Sequence, residues 1–188
     1  MFTSTLFISE DLVKQNSLID SNMDGKLVRT VIQEAQDMHI LPLIGTGVYN
    51  DLIANIGANT FTGLNQTLLD TYISSCLLYW TLYEGVDVFT FKFKNNGVVK
   101  QGADNMTQLT LEEVKRLMDR FRNKAMWYGE RITRYCIQNL ASFPLFANPG
   151  NGIDTVFPIR TGYTTGIYLG GHGRPISDED RIERGIFD

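Results

Sequence analysis

The chain has 188 residues, of which 43% are hydrophobic and 20% are charged, so it can bury a core and a wholly disordered chain is excluded. The formal net charge is −4 and the sequence pI is near 5.2. These values exclude a globally basic protein that coats nucleic acid, although a local basic face is compatible with them. The length fits one domain with an appended segment.

The apolar segments do not predict a membrane protein or a secreted one. The N-terminus has no basic start and reaches Glu10 and Asp11 before any long apolar run, so we expect no secretory signal. The longest charge-free apolar stretch covers residues 71–83, well short of the roughly 20 residues that a bilayer requires. The two cysteines, Cys76 and Cys136, lie in helix-like segments, which favours buried free thiols in a reducing cytosol over a disulfide.

The N-terminal third is predicted to form three helices. Ser9 is a suitable N-cap for a short helix over residues 10–16. A second helix is predicted from Asp24 to Ile40 and is expected to stop at Pro42. Its apolar residues keep the spacing of one buried face: Leu27, Val28, Val31, Ile32, Ala35 and Met38.

The third and fourth helices are predicted after a glycine turn. The sequence Gly45-Thr46-Gly47 predicts a sharp turn, after which Thr46 caps a helix over residues 48–56 that ends at Gly57. A fourth helix begins near Leu64 and continues past Tyr83. Because it is apolar around most of its circumference, other helices or a neighbouring subunit must cover it on several sides.

A short β-hairpin near residues 88–100 is one of two readings of the segment that follows. Apolar and polar residues alternate over residues 89–94, the sequence Asn95-Asn96-Gly97 is a strong turn signal, and residues 98–99 would form the return arm. The other reading is a frayed helix end followed by an irregular loop.

The longest predicted helix starts at a capping box formed by Thr110 and Glu113 and runs from Leu111 to about Leu140. Its expected buried stripe is Leu111, Val114, Leu117, Met118, Phe121, Ala125, Tyr128, Ile132, Tyr135 and Cys136. Its basic residues, predicted to be intersubunit or DNA-facing charges, are Lys115, Arg116, Arg120, Arg122, Lys124, Arg131 and Arg134. The basic face can also be a solvated surface with ion pairs such as Glu112–Arg116.

The composition changes at Pro144. Residues 144–188 hold 8 of the 17 glycines and 4 of the 5 prolines, which predicts an extended interaction tail after a helical core of residues 1–143. Ser177 and Asp180 form a second capping box, which predicts a short helix near residues 178–184. The tail is rich in large apolar residues, so we expect it to become ordered on another surface or to wrap its own helical core.

No pattern predicts catalysis. The two histidines, His39 and His172, are not accompanied by a nucleophile elbow, by metal-ligand spacing or by a phosphate-binding glycine loop. His39 lies between apolar residues and is expected to pack or cap. We therefore expect no catalytic, cofactor-binding or metal-binding residues, and a protein that is not an enzyme.

The order of several short motifs resembles the head–tail connector proteins of tailed phages, most closely those of crAss-like Bacteroides phages. The resemblance covers roughly residues 9–146. The segments that carry it are Ile40-Leu41-Pro42-Leu43-Ile44-Gly45, Val48-Tyr49-Asn50-Asp51-Leu52, Lys94-Asn95-Asn96-Gly97-Val98-Val99, Ala125-Met126-Trp127-Tyr128-Gly129-Glu130-Arg131 and Phe143-Pro144-Leu145-Phe146.

The resemblance implies a mainly α-helical bundle with two long helices and an extended tail, assembled in the host bacterial cytoplasm and located in the virion. It implies a homo-oligomeric ring, commonly a dodecamer, that binds the portal protein and the next tail or adaptor protein. DNA would pass through the ring without sequence-specific binding. By position, the candidate portal or intersubunit contacts are Phe157, Ile159, Tyr163, Ile167, Tyr168, Leu169, Ile186 and Phe187.

Two other functions are compatible with the same residues. The first is a tail-completion or neck protein at another level of the same machine. The second is a helical DNA-binding regulatory module that uses the basic face of the long helix, for which a strongly salt-dependent DNA affinity is expected.

Overall fold

The fold was analysed in a computed structural model, which describes residues 5–61, 63–94, 97–100 and 110–159. The described chain is mainly helical, as predicted. Its elements, in order, are α1 (Glu10–Gln15), α2 (Gly25–Ala35), α3 (Leu41–Ala58), α4 (Gly63–Thr67), α5 (Ser74–Thr90), β1 (Phe91–Lys94), β2 (Gly97–Lys100), α6 (Leu111–Gln138) and α7 (Pro144–Ala147). Two π-helical turns, Gln36–Ile40 and Leu68–Ile73, join α2 to α3 and α4 to α5.

Local capping sets the start of the first two helices. The Ser9 hydroxyl accepts a hydrogen bond from the Leu12 N–H at 3.1 Å, so the predicted cap of α1 is confirmed. The Asp24 carboxylate caps α2 in the same way by accepting from the Lys26 N–H. An ion pair between Glu10 and Arg29 then links the two helices at the surface.

The π-helical turn changes the register of the second predicted helix. Val28, Val31, Ile32 and Ala35 are fully buried as expected, whereas Met38, predicted on the same face, is 56% exposed. A π turn inserts one residue into the helical repeat, so the positions that follow it rotate away from the earlier face. The prediction that Pro42 stops this helix is also wrong, since the helix continues past Pro42 to Ile44, just before a kink at Gly45.

The buried amide of Gln36 lies at the start of this π turn and ties the N-terminal segment to the core. Its Oε1 accepts from the Phe7 N–H at 2.8 Å, and its Nε2 donates to the Thr5 carbonyl and to the Tyr49 hydroxyl. The Tyr49 hydroxyl in turn donates to Asp37. The pKa of Tyr49 is raised, mainly by burial and secondly by this hydrogen bond. The amide thereby satisfies backbone groups that would otherwise be buried without partners.

Helix α3 contains a kink at Gly45, whose backbone has φ 75° and ψ 160°. The sharp change of direction predicted at Gly45-Thr46-Gly47 is therefore present, and it divides α3 into two helical parts. The helix does not end at Gly57, as predicted; it runs to Ala58, and Asn59 adopts the left-handed conformation with φ 53°.

Two long helical segments form an antiparallel pair. One consists of α4, the second π turn and α5, and the other is α6. Tyr72 stacks on Tyr135 and Tyr79 stacks on Tyr128, so rising numbers along the first segment meet falling numbers along α6. Strands β1 and β2, between these helices, pair antiparallel with Phe91 opposite Lys100.

Helix α6 starts at the predicted capping box. The Thr110 hydroxyl accepts from the Glu113 N–H, and the Glu113 carboxylate accepts from the Thr110 N–H, which confirms that box. Of the ten residues of the predicted buried stripe, Ala125, Ile132 and Cys136 are buried, Leu111 is 70% exposed and the other six are half-buried. The α6 residues that are buried are Ala125, Gly129, Ile132, Thr133 and Cys136.

One hydrophobic core joins α1, α2, α3, the helical segment 63–90 and the C-terminal half of α6. Its largest fully buried side chains are Ile32, Ile40, Ile44, Leu52, Leu68, Ile73, Leu77, Ile132 and Phe146. The aromatic-rich helix is therefore covered by its own chain on the side that faces α2 and α6, in agreement with the need for cover that its composition predicts.

The chain after α6 returns to the core. Phe143 is buried, and α7 follows at Pro144, where the sequence predicted the start of an extended tail. Phe146 is fully buried in the main core, so the beginning of that tail is part of the packed fold. Residues 160–188, which include the predicted short helix near 178–184, lie outside the described residues.

Candidate interaction surfaces

The C-terminal strap, residues 148–159, binds the kink of α3 through its backbone. The Thr46 N–H donates to the Val156 carbonyl at 3.0 Å, and the Val156 N–H donates to the Thr46 hydroxyl at 2.9 Å. The Thr46 hydroxyl, which was predicted to cap a helix, therefore accepts a hydrogen bond from the strap. A third hydrogen bond joins the Ile159 N–H to the Pro42 carbonyl at 2.9 Å.

Glycine is required where the strap approaches α3. A Cβ placed on Gly45 would lie 2.8 Å from Pro158 Cδ and 3.0 Å from the Val156 carbonyl oxygen. A Cβ on Gly47 would lie 2.8 Å from Pro149 Cα. Both approaches are closer than ordinary carbon contacts, so the two glycines provide the space in which the strap lies.

The strap presents two of the predicted contact residues to solvent. Phe157 is 63% exposed and Ile159 is 47% exposed, although the backbone on either side is fixed by the hydrogen bonds to α3. The other six candidate contacts lie outside the described residues: Tyr163, Ile167, Tyr168, Leu169, Ile186 and Phe187.

The seven basic residues of the predicted α6 face fall into three groups: exposed charges, one charge in an ion pair and two charges beside aromatic rings. Four side chains are exposed in its N-terminal half: Lys115, Arg116, Arg120 and Arg122. In the C-terminal half, Arg134 pairs with Glu130 at 2.9 Å. The ion pair Glu112–Arg116 that the sequence suggested is not formed among the described residues.

The remaining two cations of α6 lie against aromatic rings. The Lys124 ammonium is 4.8 Å from the centroid of the Tyr79 ring. The Arg131 guanidinium is 5.0–5.8 Å from the centroids of three rings, those of Tyr72, Trp127 and Tyr128. Such contacts stabilise a cation beside the negative face of a ring.

These residues form an aromatic–cation stripe along the line where α6 meets the helical segment 63–90. We define the stripe as Tyr72, Tyr79, Lys124, Tyr128, Arg131 and Tyr135. All six are half-buried, and Trp127, which flanks the stripe, is 56% exposed. Within the described ranges, neither Lys124 nor Arg131 forms an ion pair, so their charges are not compensated by a carboxylate of the described fold.

Sequence reasoning identified the cations of the stripe but not their association with the rings. The residues at 124, 128, 131 and 135 follow one another at intervals of three or four, which places them on one face of a helix. That spacing was available from the sequence. Tyr72 and Tyr79 come from another helix, and their position opposite this face depends on the antiparallel packing.

His39 has the packing role that the sequence predicted. Its ring stacks on Trp80 with centroids 3.6 Å apart and planes within 3°, and its Nε2 lies 2.7 Å from the Glu84 carboxylate. The contact joins the π turn after α2 to α5.

The described side chains that could bind a metal or act as nucleophiles are either far from one another or buried. In the described part of the chain, no group of three or more histidine, cysteine or acidic side chains is close enough to hold a metal ion. The described helices include none that is both long and apolar enough to cross a membrane. Cys76 and Cys136 are buried free thiols, as predicted.

The two thiols are expected to be unreactive in the folded protein. Burial raises the pKa of Cys76 and of Cys136 to about 12, so only about one thiol in 10⁴ is the reactive thiolate at pH 8. Labelling with a chromogenic disulfide reagent should be at least 100-fold slower in buffer than in guanidinium, where both thiols react. Two thiols that react at once in buffer would contradict this burial.

The same shift predicts how stability changes at alkaline pH. Above the ordinary pKa of a thiol, the unfolded chain releases protons that the folded chain still holds, so the free energy of unfolding should fall as the pH rises past about 9. Replacement of both cysteines by alanine should remove this part of the alkaline slope in urea titrations at pH 7 to 10.

A comparison with known families finds one family that covers these surfaces. Residues 40–156 match the family described as "Family of unknown function (DUF6712)". The chain belongs to this family. No curated protein and no solved structure matches it.

The range matched by the DUF6712 family begins and ends at residues with a defined place in the fold. It starts at Ile40, the last residue of the first π turn, and ends at Val156, which pairs with Thr46. Both sides of the contact between the kink and the strap therefore lie in the family range, as does the whole stripe. Helices α1 and α2 precede it.

Proposed function

We propose that the chain is a structural virion protein of a tailed phage, a subunit of a ring beneath the portal that connects head to tail and extends the DNA channel. In this role the protein acts by binding and not by catalysis. Its partners are further copies of the chain in a ring, commonly of twelve, together with the portal protein and the next tail or adaptor protein.

The observation that carries the proposal is the exposure of Phe157 and Ile159 on a fixed backbone. Large apolar side chains that are held in place but left in water are typical of a preformed protein-binding surface. A surface of this kind supports an assembly protein. Because its backbone is already ordered by α3, binding would require little further loss of conformational entropy.

The segments that resemble phage connectors also build this surface, which supports the same function. Residues 40–45 and 48–52 form the two sides of the kink in α3, and residues 143–146 lead into the strap. Residues 125–131 supply two of the six residues of the stripe, Tyr128 and Arg131. The likeness therefore concentrates on the parts of the fold that present candidate contacts.

The tail beyond Ile159 and the exposed basic residues of α6 complete the proposal. The tail continues directly from the exposed strap, so its aromatic residues would extend the same contact to the portal or to a neighbouring subunit. Lys115, Arg116 and Arg120 would face a neighbour or the DNA, which they could position through phosphates without reading sequence.

Binding to the cognate portal protein tests this function. We expect native mass spectrometry of the mixture to show a portal complex carrying a ring of this chain. The variant Phe157→Asp/Ile159→Asp should bind at least 10-fold more weakly, with its helical circular dichroism unchanged. The matched control Leu18→Asp changes a fully solvated apolar residue outside the family range and should bind like the wild type. A wild-type chain that does not bind the portal would contradict the proposal.

A helical DNA-binding module is the second candidate, and the four exposed basic residues of α6 favour it. If it is correct, duplex DNA should bind with an affinity that falls steeply with salt and with Arg116→Glu/Arg120→Glu. A neck or tail-completion protein would instead bind another component of the same vertex and not the portal.

A further inference from the structure

We infer that the aromatic–cation stripe is the acceptor site for an acidic, apolar peptide, and that its occupant is the C-terminal segment, residues 176–188, of a second copy of this chain. The inference rests on the proposed function, because it names the contact by which neighbouring subunits of a homo-oligomer would join.

The stripe has the chemistry of a carboxylate-binding groove. The guanidinium of Arg131 lies 5.0–5.8 Å from the centroids of three rings, which restrict its position. An arginine held in this way can donate two parallel hydrogen bonds to one carboxylate. Lys124 adds a second cation on the same side of α6, also without an ion pair among the described residues.

The rings of the stripe would recognise the apolar part of the same peptide. Trp127 is the most exposed ring, and tryptophan, tyrosine and arginine are the residues that most often dominate binding energy at interfaces. The half-buried tyrosines are fixed by stacking, Tyr72 on Tyr135 and Tyr79 on Tyr128, so they form a rigid surface before any partner arrives.

Residues 176–188 have the complementary composition. They contain five carboxylates and two arginines, a net charge of −3, and their large apolar residues are Ile176, Ile182, Ile186 and Phe187. The described chain ends at Ile159, so 16 residues precede this segment, enough to span up to roughly 50 Å when extended. The segment can therefore reach beyond its own core.

A second copy is the occupant that the proposed ring requires. The donor segment continues from the strap at the kink of α3, where Leu43 packs against Gly129 of α6, and the 16 intervening residues are long enough to reach a neighbouring subunit. Two different surfaces of one chain that bind each other make a head-to-tail contact, and repetition of that contact closes a ring when the rotation permits.

A nucleic acid is the less favoured occupant. The chain has a net charge of −4, which opposes the approach of a polyanion, and the stripe itself contains two cations. Affinity for a nucleic acid backbone depends on the number of phosphates neutralised, so two cations would support weak binding only.

Complementary charge reversals in the full-length chain test the inference. The acceptor variant is Lys124→Glu/Arg131→Glu, and the donor variant is Asp178→Lys/Asp180→Lys. Sedimentation velocity at tens of micromolar should show self-association of the wild type, weakened at least 10-fold in each variant. An equimolar mixture of the two should associate again, with a 1:1 heterodimer as its smallest species, because the intact donor of one variant meets the intact acceptor of the other and the two reversed surfaces also carry opposite charges.

A control variant and the results that would overturn the inference complete the test. Lys26→Glu reverses an exposed charge of α2 outside the stripe and should associate like the wild type. A monomeric wild type overturns the inference, as does a mixture without heterodimer, which would place the segment on its own chain or elsewhere. A single-stranded oligonucleotide whose binding is lost in the acceptor variant and unchanged in the donor variant would identify nucleic acid as the occupant instead.

Portal binding separates this inference from the proposed function. If self-association is absent but the chain still binds the portal, the inferred occupant of the stripe is wrong and the proposed function stands. If the chain neither associates nor binds the portal, both are contradicted.

Discussion

Replacing Gly45 by alanine is expected to lower the free energy of unfolding by about 2 to 4 kcal/mol and to release the strap from α3. The backbone at Gly45 has φ 75° and ψ 160°, a region that residues with a side chain almost never adopt, and forcing one into it costs about 1 to 3 kcal/mol. The added Cβ would also overlap Pro158 Cδ at 2.8 Å. The overlap can be relieved only if the strap moves.

Urea denaturation measures the loss of unfolding free energy, and limited proteolysis measures the release of the strap. In a domain of this size each kcal/mol lowers the melting temperature by roughly 2 to 4 °C. The matched control is Gly57→Ala in the same helix, where an added Cβ meets no heavy atom within 4 Å. That change should stabilise the protein by about 0.4 to 1 kcal/mol. Equal effects at the two glycines would mean that the kink does not require its special backbone conformation.

The features that the sequence predicted correctly are those that short-range interactions decide. Ser9 caps α1 because its hydroxyl reaches an amide three residues away, and the box of Thr110 and Glu113 closes over the same distance. The apolar periodicity of α2 likewise identified four of its buried residues. Each of these interactions lies within one or two turns of helix, so the local sequence contains all the participants.

The features that were missed depend on distant partners. Pro42 is a strong local signal for the end of a helix, yet the π turn before it and the burial of Ile40 and Ile44 carry the helix through. The strap is recognised at Thr46 by Val156, 110 residues further along the chain. Glycine and proline in that part of the sequence predict an extended backbone, but the local composition contains no information about which surface receives it.

The candidate site was predictable in part for the same reason. The basic residues of α6 were found from their sequence, and the strap residues Phe157 and Ile159 were found from their apolar character in an extended segment. The division of the basic face into solvated charges and charges on rings was not predictable. It requires Tyr72 and Tyr79, which approach Arg131 and Lys124 only when the two long helices pack against each other.

Replacing Phe146 by alanine is expected to lower the free energy of unfolding by about 3 to 5 kcal/mol, as large-to-small changes of buried aromatic residues do. Phe146 is fully buried in the main core although it lies beyond Pro144, where the composition changes. The adjacent Leu145→Ala removes an exposed side chain from the same short helix and should cost less than about 1 kcal/mol. Urea denaturation of both variants measures the difference, and similar small effects in both would mean that α7 is not part of the core.

Combining Phe146→Ala with Gly45→Ala tests whether α7 and the strap fold as one unit with α3. Phe146 anchors the chain just before the strap, and Gly45 provides the space in which the strap lies. If Phe146→Ala already loosens the strap, Gly45→Ala has fewer strap contacts left to disrupt. The loss of unfolding free energy in the double variant should then be smaller, by at least about 1 kcal/mol, than the sum of the losses in the two single variants. Strict additivity would mean that the strap is held at the kink independently of α7, so that the surface formed by Phe157 and Ile159 depends on the backbone contacts of α3 alone.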